Sequence, residues 1–299
     1  GLGKKLLDRK LVPASVCPSK VEPSYFSGGR VRALRRREIE GLVRDFVAAA
    51  ARVQRAGCDG VELHGSHGYL IQQFLSPHTN RRGDEYGGSF EKRMRFVSEI
   101  VRGIRRECGA FPIAVRMSAD ECYDRIGRSG VGYGLEEGLR IAKALEALGV
   151  DALDVSSASY DAFNYWLEPT SFECGWRSHL AKAVKEAVSI PVIAANLIRS
   201  PEQAERQLAE GVQDFVSLGR PHIADPAWAN KAREGRAAEI RRCCCCLACI
   251  ESMERNAWSG GHARCSVNPG LGREGEGESA RDGGGRLAVV VGAGIAGLA

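Results

Sequence analysis

The sequence predicts an α/β protein built around part of a (β/α)8 barrel, about its last five strands. Helical and strand patterns alternate five times, the strands start at barrel-like intervals, and polar residues gather where the strands end.

The first step is a helix over Glu38–Gly57, where Ile39, Leu42, Val43, Phe46, Val47, Ala50 and Val53 recur at helical spacing, followed by a strand over Asp59–His64. Ser89–Cys108 then reads as helix before the strand Pro112–Met117, and Gly134–Gly149 before Asp151–Ser156. Ser178–Val188 precedes Pro191–Ala195, and Pro201–Gly211 precedes Asp214–Gly219. These strands begin about 53, 39, 40 and 23 residues apart, which suits a barrel with insertions better than a uniform repeat. A last barrel-like helix is expected near Ala227–Ile240, and three further strands upstream.

The 299 residues, 44% of them hydrophobic, supply one large core. A net charge of +5 with interspersed signs argues against nucleic acid or an acidic membrane as partner. The run Arg35–Arg37 meets Glu38 and Glu40 at once and reads as a solvated helix start. No stretch approaches the roughly 20 apolar residues of a membrane span, and Gly1 opens no signal peptide. The expectation is a cytoplasmic protein, with homo-oligomerisation left open. The absence of an initiator Met, and an ending inside a motif, lead us to read the chain as a piece of a longer one.

Of 11 cysteines, Cys17, Cys58, Cys108, Cys122 and Cys174 are scattered singly, while six fall between Cys243 and Cys265. That distribution fits one metal site in a reducing compartment better than a disulfide framework. The domain reading follows from these shifts in composition. It places a barrel over 1–240, a cluster-binding segment over 241–269, a Gly/Glu-rich linker over 270–285, and the start of a dinucleotide-binding domain over 286–299. The last rests on Gly292, Gly294 and Gly297, a GxGxxG that directly follows the β-branched run Arg286–Val291.

Cys243, Cys246 and Cys249 form a C-x2-C-x2-C series. One loop can wrap these three thiolates around an iron–sulfur cubane that Cys265 closes from the other side. Four thiolates also suit zinc, the alternative, and Cys244 and Cys245 are left unassigned. At the end of the first strand, His64 and His67 read as paired donors to a substrate carbonyl, with Tyr69 as proton source; a metal held by the two imidazoles is the weaker alternative. Arg116 lies within a strand and needs an anion, either a flavin edge or an internal carboxylate. Asn196 and Gly219-Arg220 end later strands. Glycine allows close approach of a phosphate there and arginine supplies charge, unless Arg220 is spent on a salt bridge.

The segment HGSHGYLIQQFLSPHTNRRGDEYGGSFEKRMRF, His64–Phe96, resembles the signature region of the old yellow enzyme family of flavin-dependent oxidoreductases. VRMS at Val115–Ser118 and SLGRPHIADP at Ser217–Pro226 extend the likeness. With the cysteine loop and GAGIAG, the chain resembles the iron–sulfur branch that holds 2,4-dienoyl-CoA reductase, 2-enoate reductases and trimethylamine dehydrogenase. The resemblance implies FMN in the barrel, a [4Fe-4S] cluster, FAD further on, and NAD(P)H as donor. Arg116 would then contact the flavin ring and Gly219-Arg220 its phosphate. His64 and His67 would bind the activating group of an unsaturated carbonyl substrate, and Tyr69 would protonate it. Ser157–Tyr165 lacks the histidine of dienoyl-CoA reductases, which puts a general enoate or enone reductase ahead. The alternatives are an amine dehydrogenase, with Trp166, Tyr160 and Tyr165 as aromatic candidates, and a zinc-stabilised barrel without catalysis.

Overall fold

The computed structural model describes residues 15–20, 31–256 and 259–276. A short parallel pair, β1 (Ser15–Cys17) and β2 (Val31–Ala33), precedes the main sheet. The chain then runs α1 (Arg36–Arg55), β3 (Val61–Gly65), α2 (Leu70–Leu75), α3 (Phe90–Cys108), β4 (Ile113–Ser118), α4 (Leu135–Ala147) and β5 (Ala152–Ser156). After these come α5 (Ser178–Ala187), β6 (Val192–Ala194), α6 (Pro201–Ala209), β7 (Phe215–Val216), α7 (Arg220–Ala224), α8 (Trp228–Arg233) and α9 (Ala248–Asn256).

β3 to β7 form one parallel sheet in sequential order. Each strand adds beside its predecessor without reversal, which is barrel winding and not that of a doubly wound sheet. The register explains the burial pattern. Leu63, Val115, Leu153 and Val192 share one row and face the helices, with Ile113, Met117, Val155 and Ala194 on the same face, all buried. Each of the larger ones contributes about 1.5–3 kcal/mol by leaving water.

Local chemistry sets the helix starts. Glu38 Oε2 accepts the Arg35 N–H at 2.8 Å, Ser89 caps α3 through Lys92 N–H, and Ser200 caps α6 through Gln203 N–H ahead of Pro201. α1 and α3 press together at Gly103, where a Cβ would lie 2.5 Å from a Val47 methyl.

The structure corrects several sequence expectations. The strand expected over Asp214–Gly219 is only Phe215–Val216, because Gly219 already precedes α7. The helix expected near Ala227–Ile240 breaks after Arg233, with Gly235 at φ 73° and a separate turn at Ala237–Glu239. Helix α2 has no counterpart in the sequence reading, and the first residues expected in the linker, 270–276, form turns. Gly292, Gly294 and Gly297 lie outside the described residues, as does the rest of 277–299. Among the described residues no helix is long and apolar enough to cross a membrane.

Candidate active site

Strand register assembles the first part of the site. His64 pairs with Arg116 and Arg116 with Asp154 across β3, β4 and β5, so the three share the face opposite the helices. Arg116 Nε stands 3.4 Å from Asp154 Oδ2, the internal carboxylate that a strand cation needs. The pair is not aligned as a hydrogen bond: Arg116 Nε and Asp154 Oδ1 both lack a partner among the described residues. Burial raises the Asp154 carboxyl against the pull of Arg116. Burial and the Arg116 charge both lower His64, which is therefore neutral at pH 7.

The loop after β3 delivers Tyr69. Gly68 adopts φ 76°, and a Cβ there would lie 2.8 Å from Tyr160 N, so no other residue fits. Tyr69 caps the start of α2, a residue 43% exposed whose ring centroid lies 4.9 Å from that of His64. His67 differs from the expected free donor. It is buried, its Nε2 lies 2.7 Å from Ser156 Oγ, and its ring stacks on Trp166 at 4.5 Å. Burial first, then Arg116, His64 and Arg177, lower it to about 2, so it is neutral.

The opposite wall comes from the turn after β6. Asn196 and Leu197 take φ 24° and φ 48°, a strained run of the kind found at functional sites. Asn196 does not reach the pocket: its Nδ2 donates to Gln213 at 2.6 Å. The turn instead brings in Arg199, a residue the sequence reading missed, whose Nε and Nη2 are buried without a partner among the described residues.

Glu168, also missed, is 1% exposed and anchors the floor of the pocket. Arg177 Nη1 stands 3.0 Å from its Oε1, Arg220 Nη2 stands 2.8 Å from its Oε2, and Trp176 Nε1 donates to it at 3.1 Å. Arg220, expected to hold phosphate, thus spends part of its guanidinium on this salt bridge, and Gly219 beside it lines the pocket. The result is a cavity of about 330 Å³, at the lower end of ligand-sized pockets. Its walls carry Arg116, Arg177, Arg199 and Arg220 against a single carboxylate, Glu168, beside His64, His67, Tyr69 and Trp166. Four cations against Glu168 in the wall and Asp154 behind Arg116 leave an excess of positive charge, which fits a phosphorylated, electron-rich cofactor such as FMN.

The cysteines adjoin this cavity through Cys243 and Cys245. Cys249 lies on α9, so only Cys243 and Cys246 share the preceding loop. Ser252 accepts the Arg264 N–H at 2.8 Å, Cys246 Sγ meets Ser266 Oγ at 3.2 Å, and these contacts bring the Cys265 segment alongside. Burial first, then the Cys265 charge, raise the Cys249 thiol. Among the described residues no three metal-ligating side chains stand at metal-binding separation. By donor type, Cys243, Cys246, Cys249 and Cys265 remain an all-sulfur set that suits an iron–sulfur centre or zinc.

A parallel sheet wound in sequential order, with an arginine-rich cavity at the C-terminal ends of its strands, defines an α/β protein similar to the barrel type. The chain belongs to the NADH:flavin oxidoreductase / NADH oxidase family, whose profile matches residues 2–239, and so to the oxidoreductases of old yellow enzyme type that its sequence resembles. It is 50% identical over 262 residues to an NADH oxidase of Thermoanaerobacter brockii, covering 87% of this chain and 39% of that protein. It is 33% identical over 314 residues to a cinnamate reductase of Clostridium sporogenes, covering 100% of this chain and 46% of that protein. The structure superimposes on histamine dehydrogenase from Rhizobium sp. 4-9 with TM-score 0.77 and 34% identity, over 87% of this chain and 37% of that one. The chain therefore spans less than half of each of these relatives.

Proposed function

We propose that the chain is the substrate-reducing part of a flavin-dependent ene-reductase acting on an activated C=C bond, an enoate, enone or enoyl thioester. The observation that carries this reading is the cationic cavity with a neutral His64 and an exposed Tyr69 side by side at its mouth. FMN bound there supplies the two-electron redox chemistry. Arg116 would hold its ring, and Arg199, Arg220 and the backbone at Gly219 its phosphate.

The chain's own residues then divide the work. His64 donates a hydrogen bond to the carbonyl oxygen as negative charge develops on it, and being neutral it does so without releasing its proton. His67, locked between Ser156 and Trp166, shapes the wall below. The Tyr69 hydroxyl protonates the carbon next to the carbonyl, and its exposed ring lets that proton be replaced from solvent.

In this reading the five strands belong to a (β/α)8 barrel over 1–240 that further strands complete. Cys243, Cys246, Cys249 and Cys265 hold a [4Fe-4S] cluster over 241–269. After the linker 270–285, a domain beginning at 286–299 carries FAD and receives electrons from NAD(P)H. The substrate is a small unsaturated carbonyl compound, the compartment is the cytoplasm, and neither nucleic acid nor membrane is a partner.

An amine dehydrogenase is the second reading, favoured by the histamine dehydrogenase likeness and by the Tyr160 ring touching those of Tyr69 and Trp166, while Tyr165 packs on Phe172 and Trp176. The arginine excess counts against it, because a protonated amine would enter a positive field. Anaerobic assays of the full-length protein on enoates, enones, enoyl-CoA thioesters and methylamines separate the two. Turnover of an alkene substrate supports the first reading, and turnover of amines alone removes it.

A further inference from the structure

Glu121 is 1% exposed, lies outside the cavity, and its carboxyl joins helix α2 to the segment at Tyr133. Its Oε2 accepts from Ser76 Oγ at 2.8 Å and from the Tyr133 N–H at 2.9 Å; its Oε1 accepts from Gln72 Nε2 at 3.3 Å. The Gln72 amide has no freedom to turn round. Its Oε1 takes the Gly68 N–H at 2.6 Å, so its NH2 faces Glu121, while the Ser118 hydroxyl nearby donates to the Ala158 carbonyl at 2.7 Å. Gly68 is the residue before Tyr69, and Gln73, on the same helix, donates to the Gly68 carbonyl at 2.7 Å.

The Tyr69 ring meets those of His64 and Tyr160 at centroid distances of 4.9 and 5.5 Å, and its side chain also hydrogen-bonds that of Tyr160. The position of its hydroxyl is set jointly by Tyr160 and by the Gly68–Tyr69 backbone, and that backbone hangs on Gln72. We propose that Glu121 is a positioning residue for the reaction, fixing the Gln72 amide and through it the placement of the Tyr69 hydroxyl. This rests on the ene-reductase reading, in which Tyr69 delivers the proton. The relay also explains a buried carboxyl that does not line the cavity: its two oxygens accept the Gln72 NH2 and the Tyr133 N–H, whereas an amide there would oppose one of the two donor to donor.

The test is a double-mutant cycle in the full-length holoenzyme, with 2-cyclohexenone as probe and NAD(P)H as donor. Glu121→Gln is expected to lower kcat by about 10- to 100-fold, the scale of a displacement near 1 Å. KM and the rate of flavin reduction by NAD(P)H should stay as in the parent. In a Tyr69→Phe background, Glu121→Gln should cost nothing further. Hydrogen exchange of the segment 66–75 should rise in Glu121→Gln. Gln72→Met is the second variant should Glu121→Gln fold poorly, and it should show the same dependence on background. An equal loss in both backgrounds, or no loss in either, overturns the proposal. If Tyr69→Phe leaves kcat unchanged while Glu121→Gln still raises exchange at 66–75, the reading of Tyr69 as proton donor fails and takes the catalytic role of Glu121 with it.

Discussion

His67 Nε2 lies 2.7 Å from Ser156 Oγ, a bond that crosses from the loop after β3 to the end of β5 while Trp166 covers the ring. The two histidines of the HGSH segment therefore have separate duties: His67 is wall, and His64 faces the cavity.

Stability separates them first. His67→Ala should destabilise the fold by about 2–3 kcal/mol through a cavity under Trp166. Ser156→Ala should cost about 1 kcal/mol for one buried hydrogen bond. His64→Ala, at an exposed site, should stay within about 0.5 kcal/mol of the parent and yet abolish enone turnover with flavin still bound. Urea unfolding monitored by circular dichroism, alongside turnover assays, checks all three; full activity in His64→Ala would show that the pair is purely structural.

Arg199 lines the cavity, with Nε and Nη2 buried without a hydrogen-bond partner among the described residues and its guanidinium beside the Cys245 thiol. Arg199→Ala should weaken flavin binding by about 10- to 100-fold, the loss of one charge-assisted contact. Titrating the stripped protein with FMN and following fluorescence quenching measures this directly. Unchanged affinity would mean that the phosphate is held elsewhere.

Cys246→Ser in the full-length protein should lower bound iron and stop NAD(P)H-driven turnover while leaving the flavin reducible by an artificial donor. Cys244→Ser, at an exposed thiol outside the C-x2-C-x2-C series, should keep the iron. Iron analysis with parallel assays decides, and full turnover in Cys246→Ser takes that residue out of the electron path.

Glu121 also predicts a pH dependence of stability. Burial first, with Asp120 and Glu137 adding and Ser76 and the Tyr133 N–H opposing, raises its carboxyl from 4.5 to about 8. Between those values the folded protein holds a proton that the unfolded chain has released, so stability falls as pH rises, by up to about 1.4 kcal/mol per pH unit. His67, lowered from 6.5 to about 2, has the opposite slope but only below pH 6.5. Melting temperature should therefore decline from pH 6.5 to 8 in the parent and more weakly in Glu121→Gln. Parallel slopes would show that Glu121 is ionised throughout.

Much of this architecture was legible in the residues. The five helix–strand steps announced themselves because one face of each strand and helix is apolar, and His64, Arg116, Gly219 and Arg220 stood at strand ends, where barrel chemistry collects. Helix α2 escaped notice because four of its six residues, Ile71, Gln72, Phe74 and Leu75, are buried, which erases the amphipathic signal. Arg199 was hidden by a turn in which Asn196 and Leu197 adopt a left-handed backbone without glycine, and only its place just before the Ser200 cap marks it. Glu168 and Glu121 act through contacts with residues distant in sequence, such as Arg220 and Ser76, which no local pattern encodes.

The central claim is that this cavity lets a reduced flavin pass electrons to an activated alkene. The most direct measurement is the anaerobic visible spectrum of the full-length protein, its flavin first reduced and then mixed with 2-cyclohexenone or an enoate. The account predicts rapid return of the oxidised flavin bands, lost in His64→Ala. A reduced flavin indifferent to every such alkene, with an oxidised flavin bleached by a methylamine, would contradict it.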